Sequence, residues 1–466
     1  MFIKNFFLVD KMIKPSMVLG ELPGTKEAYK TSLAMAWPSA LESVLIALIG
    51  SMDIMMVGSL GESAISAVGI TTQPKFILLA VIMTLNMGVT AIVARRKGEG
   101  DKVGATKCLK QALLLCGLLS LILNVLGEVF AEDFLRLAGA NDDYMVDALV
   151  YFRIILIGNF FSCINLTINA AQRGFGNTRI SMVTNISANL VNILFNFLLI
   201  NGIWIFPRWG VMGAAVATVI GNIVGLIIAI ISVTRRQREF NIFVSKGWGF
   251  DKKTMKGIIK VWSSALVEQV FMRAGFFVYA AMVASLGTLA FATHQICLQL
   301  INISFAFGDG LGIASASLVG QNLGAKRPDI AMIYGKVGQR CALIIGIFLS
   351  ITFILLRKQL IGLFSNEAEV IELGSKVVFV IALLCLAQTS QVVISGCLRG
   401  AGDAGFVAIS SFISIAVVRT GLSYLFCFTL GWGLIGAWLG MFSDQFLRLI
   451  LNFIRYETAK WTKIEL

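Results

Sequence analysis

The run ALLLCGLLSLILNVL, residues 112–126, carries only two polar side chains, Ser120 and Asn124, and no charge. Nothing in it alternates as a strand with one wet face would. The runs at 223–233 (IVGLIIAIISV) and 341–356 (CALIIGIFLSITFILL) read the same way. Strands of a membrane barrel show about ten residues of strict alternation, whereas a helix crossing the hydrocarbon needs about 20 mostly apolar residues. These runs are helical spans. The whole chain agrees: its 466 residues are 57% hydrophobic and 14% charged, with a mean hydropathy of +0.83. Soluble domains are about 45–50% apolar and about 25% charged, so a soluble fold is excluded.

Working outward, runs bounded by charge, Gly or Pro fall near 32–58, 68–94, 108–130, 146–170, 178–202, 210–234, 257–284, 290–320, 335–356, 371–397, 404–430 and 433–454. The sequence predicts an all-α integral membrane protein of about twelve transmembrane helices. A net charge of +13 could point to a nucleic-acid partner, but most of the Lys and Arg residues sit in short segments between apolar runs, so none is expected. They also gather in alternate connections, as the positive-inside rule requires. One set holds the N-terminus, Arg95, Arg96, Lys97 and Lys102, then Arg173 and Arg179, the segment 235–260, Lys326 and Arg327, Arg399, and Arg455, Lys460 and Lys463. The other connections are nearly uncharged, as at 58–66, or mainly acidic, as around Glu132, Asp133 and Asp142, except that after span nine, which is mixed (Arg357, Lys358, Glu367, Glu369, Glu372) and supports the alternation least. Both termini are expected on the cytoplasmic side of a multi-pass cell-membrane protein. The first 30 residues lack a compact apolar core followed by small residues, so no cleaved leader is expected. The eight cysteines lie in or beside apolar runs without a CxxC pair, and read as reduced apolar residues.

The chain is also doubled. Glu42 and Glu268 stand 226 residues apart, and the same shift carries SLG at 59–61 onto 285–287, Val93 and Gly98 onto Val319 and Gly324, and Arg173-Gly174 with Gly176 onto Arg399-Gly400 with Gly402. One constant offset at four separated places points to duplication of a six-helix bundle. Six being even, the copies run parallel about an axis along the membrane normal. The expected organisation is a cytoplasmic segment 1–31, a lobe 32–236, a basic cytoplasmic linker 237–256, a second lobe 257–456 and a cytoplasmic tail 457–466.

Polar groups inside spans mark function, because a charge at mid-membrane costs at least about 2.5–3.5 kcal/mol. Glu42 and Asp53 are eleven residues apart, so they share a helix face with about 16 Å between them along the axis. Glu42 has its counterpart in Glu268, and a packing role for the two stands beside that of lining a substrate cleft. Asp53 falls opposite Tyr279. A carboxylate in one half only is harder to read as scaffolding, although a structural ion pair is the alternative. Span five carries Asn185, Asn189, Asn192 and Asn196 at spacings of 4, 3 and 4, one helical stripe. It serves either as hydrogen-bond glue between helices or as neutral oxygen ligands for a cation held by Asp53. Asn165, Asn169 and Gln172 line span four, Gln295, Gln299 and Asn302 span eight, and Gln388, Gln391 and Ser395 span ten. A buried aspartate needs a proton or sodium ion as companion. One such ion moving down about 100 mV and a tenfold gradient supplies about 3.7 kcal/mol, enough to concentrate a neutral solute several hundredfold.

Enzyme chemistry is poorly supported. His294 is the single histidine, which excludes multi-imidazole metal sites, and the absence of a Gly-rich Lys-Ser/Thr phosphate loop argues against ATP hydrolysis. His294, at the start of span eight, reads first as a packing or capping residue, with a proton relay as the alternative. Arg419, and Asp444 with Arg448, read as internal ion pairs. Asp309 is either a second site or a helix-breaking residue, and the sequence assigns Arg273 no partner.

MDIMMVGSLGESAISAVG (52–69), LGTLAFATHQI (286–296), GLGIASASLVGQNLGA (310–325), GCLRGAGDA (396–404) and its repeat partner QRGFGNT (172–178) resemble, in this order, the multidrug and toxic compound extrusion (MATE) family. The resemblance covers nearly the whole chain. It implies export of amphipathic, often cationic organic compounds coupled to H+ or Na+, through a central cleft between two lobes opening alternately to each side. It further implies that Asp53 is the coupling residue and that Asn192 matches the family's helix-five asparagine. Where some members carry acidic residues, this chain has Asn196 and Gln388. Both changes remove charge and point to a first-lobe site of Asp53 with Asn189, Asn192 and Asn196. Glu42, Glu268, Asn165, Asn169, Gln295, Gln299, Gln388 and Gln391 are the substrate-cleft candidates. The expected protein is a monomer in contact with membrane lipids and small organic substrates, with no cofactor beyond the coupling ion. The alternatives are a lipid-linked oligosaccharide flippase of the same superfamily, expected to have more spans or a cavity lined with Arg and Lys, and a passive channel.

Overall fold

The structure, a computed structural model, describes residues 2–58 and 60–464; the side chains of 2–4, 47–55 and 62 lie outside the described residues. The long helices are α1 (Thr25–Gly58), α2 (Glu62–Gly98), α3 (Lys102–Val129), α4 (Asp142–Gly174), α5 (Thr178–Asn201), α6 (Gly210–Thr234), α7 (Lys252–Ala284), α8 (Thr288–Gly324), α9 (Pro328–Gly362), α10 (Ala368–Gly400), α11 (Ala404–Thr429) and α12 (Gly433–Glu457). Among the described residues, α2 to α12 are each long and apolar enough to cross a membrane, and α1 spans 34 residues. Most of these helices overrun the apolar runs that announced them. Hydropathy marks only the stretch matched to hydrocarbon, whereas helical hydrogen bonds persist through the charged turns beyond it.

The offset of 226 appears in the helix boundaries themselves. It carries the start of α2 onto that of α8, α3 onto α9, α4 onto α10 and α5 onto α11, and the ends Gly58, Gly98 and Gly174 onto Ala284, Gly324 and Gly400. At α6 and α12 the shift falls to 223, shown by GxxGA beginning at Gly210 and at Gly433. Helix neighbours repeat too. In the first half α2, α3 and α6 pack on α4, and α5 packs on α6; in the second, α8, α9 and α12 pack on α10, and α11 packs on α12. Helices α4 and α10 are thus the central posts, and α10 is buried along most of its length.

Two compact units are resolved, Leu41–Trp262 and a second formed by Met1–Ala40 with Ser263–Leu466. Their edges fall inside α1 and α7, not at the expected limits of 32–236 and 257–456. Residues 25–40 of α1 pack with the second half: Ala28 and Ala36 share a core with Leu311, Ala314 and Leu318. Residues 252–262 of α7 pack with the first, where Trp262 Nε1 donates to the Val81 carbonyl at 3.1 Å. The stretch expected as a linker over 237–256 is shorter as a connection. The helix resumes at Lys252, where the Asp251 carboxylate accepts from the Lys253 N–H at 3.2 Å and caps the first turn.

Candidate functional site

The duplicated glutamates lie in duplicated surroundings. Buried Glu42 accepts from Asn185 Nδ2 at 2.5 Å and from Ser181 Oγ at 3.1 Å, with Arg173 Nη1 at 3.8 Å. Buried Glu268 accepts from Arg399 Nη2 at 2.8 Å, Arg399 Nε at 3.3 Å and Ser411 Oγ at 3.0 Å. Arg173 and Arg399, and likewise Asn185 and Ser411, are separated by the same 226 residues as the glutamates.

The motif Arg-Gly-x-Gly now has a reading for every fixed position. The arginine reaches the interior glutamate. Gly174 and Gly400 stand where a Cβ would lie 2.6 Å from the Thr90 carbonyl oxygen and 2.4 Å from that of Ala316, so a larger residue would force the helices apart. Gly176 and Gly402 end the helix at φ of 93° in both halves, which only glycine adopts without cost.

The two clusters differ in grip. Arg399 holds Glu268 through two nitrogens, the strong fork geometry of a guanidinium on a carboxylate. Arg173 instead donates to Ser181 Oγ at 2.7 Å, and the serine intervenes. Glu42 Oε2 and Arg173 Nε are left with no hydrogen-bond partner among the described residues. The first cluster extends through amides: Asn169 Nδ2 donates to Asn185 Oδ1 at 3.4 Å and to Asn165 Oδ1 at 3.0 Å. In the second half the residues at the matching offset, Gln391 and Ser395, are also bonded, at 2.9 Å, and Asn452 donates to Ser395 at 2.8 Å.

The seams α5–α6 and α11–α12 are unlike. In the first, a Cβ on Gly221 would lie 2.6 Å from the Ala188 carbonyl oxygen, so the helices touch backbone to backbone. Beside this contact Asn192 Nδ2 donates to Thr218 Oγ1 at 3.1 Å, and Asn196 to Asn192 Oδ1 at 3.4 Å. The 223 offset places Asp444 and Arg448 at the positions of Gly221 and Gly225. There Asp444 accepts from Arg448 at 2.9 Å and from two nitrogens of Arg419, and all three residues are buried. Arg419 ends a π-helical segment of α11, Ile413–Arg419, and its guanidinium lies 4.5 Å from the Phe276 ring centroid.

The structure therefore brings together Glu42, Asn165, Asn169 and Asn185 in one cluster, and Asn192 with Asn196 in another. Asn189 is half-buried on the same helix, and Gln388 and Gln391 are buried on α10. Gln295 and Gln299 are exposed on α8. Asp53 lies on α1 with its side chain outside the described residues. The expected pairing of Arg419, Asp444 and Arg448 is present as a triad. His294 is packed among rings, 5.5 Å from the centroids of Tyr279 and Trp438. Asp309 breaks nothing, because α8 runs through it, and the charge of Arg399 acts on it. Arg273 is exposed on α7. All eight cysteines are buried and unpaired. Sequence reasoning counted Arg173 and Arg399 only as charges of the connections; the signal that would have moved them inward is the offset they share with Glu42 and Glu268.

These features define a multi-pass helical membrane protein made of two homologous halves. The MatE family profile matches residues 38–198 and again 265–425, and the chain belongs to that family. It is similar to the probable multidrug resistance protein NorM of Thermotoga maritima, 28% identical over 443 residues that cover 94% of each chain. It is also similar to the uncharacterized transporter YisQ of Bacillus subtilis, 26% identical over 428 residues covering 92% of this chain and 94% of the relative. Among solved structures it shares the fold of a MATE protein crystallised in its bent conformation, with a TM-score of 0.86 at 20% identity over 93% of this chain and 96% of that one.

Proposed function

We propose that this protein is a multidrug efflux transporter that exports amphipathic, often cationic organic compounds by alternating access, coupled to H+ or Na+ through Asp53. One observation carries the assignment of the coupling residue. Both repeated glutamates face a guanidinium at the same repeat position, Arg173 or Arg399, whereas Asp53 has only Tyr279 at its counterpart. A carboxylate outside the duplicated ion pairs is the group whose charge can be exchanged for an ion without dismantling a half. Asn189, Asn192 and Asn196 supply neutral oxygens for that ion. The names of the curated relatives support drug-like cargo. Both termini face the cytoplasm, in keeping with the alternation of basic connections.

The experiment is efflux of a fluorescent organic cation from energised vesicles carrying the full chain, with the pH and sodium gradients collapsed separately. Loss under one condition names the ion. Asp53→Asn is expected to abolish gradient-driven efflux while the protein stays folded and inserted; efflux at the unaltered rate would remove Asp53 from the mechanism.

A further inference from the structure

Residues 235–260, from the end of α6 into the third turn of α7, carry eight Lys and Arg against Glu239 and Asp251, a net charge of +6. This segment is fastened along one edge. Thr106 Oγ1 on α3 donates to the Asn241 carbonyl at 3.2 Å. The buried Lys110 ammonium donates to the carbonyls of Ser245 and Gly247 at 2.8 and 2.9 Å. Phe240, itself buried, stacks on Phe175 with 4.6 Å between centroids.

Its other edge is open and aromatic. Phe243, Trp248 and Phe250 are 52%, 52% and 73% exposed. Cations stand over two of these rings, Arg236 at 5.0 Å from the Phe243 centroid and Lys110 at 5.4 Å from that of Trp248. Lys246, Lys252, Lys253 and Lys256 are exposed around them. In the second half, by contrast, Trp461 of the tail after α12 is fully buried against Tyr456.

The level of the segment follows from what holds it. Lys110 and Gln111 grip residues 245–249, and Gln111 donates to the Gly249 carbonyl at 3.4 Å. The next residue, Ala112, opens the uncharged run 112–126. At about 1.5 Å per residue, Trp248 and Phe250 therefore lie where α3 passes from the headgroup layer into hydrocarbon, the depth at which exposed Trp and basic side chains partition together.

We propose that residues 235–260 form a binding surface for anionic phospholipids, with Trp248 and Phe250 at the acyl boundary and Lys246, Lys252, Lys253 and Lys256 on the headgroup phosphates. The surface is fixed in place by Lys110 and does not depend on what the protein transports.

The test reconstitutes the full chain in vesicles where bromine quenchers sit on the acyl chains of either phosphatidylglycerol or phosphatidylcholine, at equal mole fraction. Quenching at Trp248 is read as the difference between the unaltered chain and Trp248→Phe. Stronger quenching by brominated phosphatidylglycerol, fading as salt is raised, is expected. Each basic side chain near an anionic surface is worth about fivefold in affinity, so Lys246→Gln, Lys252→Gln, Lys253→Gln and Lys256→Gln together should bring the preference close to unity. Native mass spectrometry gives a second readout that needs no tryptophan variant: the unaltered chain should retain more phosphatidylglycerol than the fourfold variant. Equal quenching by both lipids, a preference indifferent to salt, or equal retention by the two chains would overturn the proposal.

Discussion

The two halves share a backbone plan closely enough for one offset to predict where most of their helices begin, yet they spend buried charge differently. Each keeps a glutamate near an arginine. In the second half the pair is a fork and is continued by the triad Arg419, Asp444 and Arg448. In the first half a serine intervenes, one carboxylate oxygen has no hydrogen-bond partner among the described residues, and the positions of the triad's Asp444 and Arg448 are glycines. Duplication preserved the scaffold, and divergence fell on charge. The second half is locked by ion pairs, while the first half's interior is cross-linked largely by neutral amides. The cation coupling proposed for the first half would draw on this difference, because carboxamide oxygens ligate a cation directly and, unlike a fixed guanidinium, do not compete with it for a carboxylate.

The largest expected effect tests the lock. Asp444→Asn leaves two buried guanidinium groups without their counter-charge and should cost about 3–5 kcal/mol, read as lowered thermal stability of the purified full chain. Gly221→Ala at the aligned position of the first half should cost about 1–3 kcal/mol through overpacking. Equal losses would erase the contrast between the seams.

Next comes the grip on the glutamates. Glu268→Gln removes a fully engaged partner and should cost about 3 kcal/mol, whereas Glu42→Gln, already half-bonded, should cost about 1 kcal/mol. The reverse order would show that the guanidinium distances do not measure the strength of the pairs. Where the halves are alike, losses should match: Gly174→Ala and Gly400→Ala each drive a methyl onto a carbonyl oxygen, for about 1–3 kcal/mol apiece. A large difference between them would mean that one helix crossing can relax.

An effect as small as that of Glu42→Gln belongs to the α7 cap. Thr254 Oγ1 donates to Asp251 at 2.6 Å and, as the leading cause, holds its carboxyl below the usual range. A depressed carboxyl stabilises the fold above its unfolded value near pH 4 and loses that contribution as pH falls through the folded one. Asp251→Ala should therefore cost about 1 kcal/mol at neutral pH, with the gap from the unaltered chain closing below about pH 4. A gap constant with pH would assign the cap to the backbone alone.

Much of this was legible in the residues. Glu42 and Glu268 announced the repeat, and the pairing of Asp444 with Arg448 follows from a spacing of four on one helix. The carboxylate–guanidinium clusters were not legible, because Arg399 lies 131 residues from Glu268 in sequence and its run of neighbours marks it as a connection residue. Lys110 was hidden for the opposite reason: it sits two residues before an apolar run, and nothing local shows that carbonyls from a stretch some 135 residues later will surround it.

By itself the sequence determined that this chain is a doubled bundle of membrane helices, because hydropathy and repeat offset are linear properties that no folding step can alter. Only the tertiary structure decided which half holds its glutamate tightly, that α1 and α7 each begin in the other half's packing, and that residues 235–260 lie fastened along α3. Those depend on side chains far apart in the chain meeting at distances near 3 Å, and such meetings are set by how helices cross.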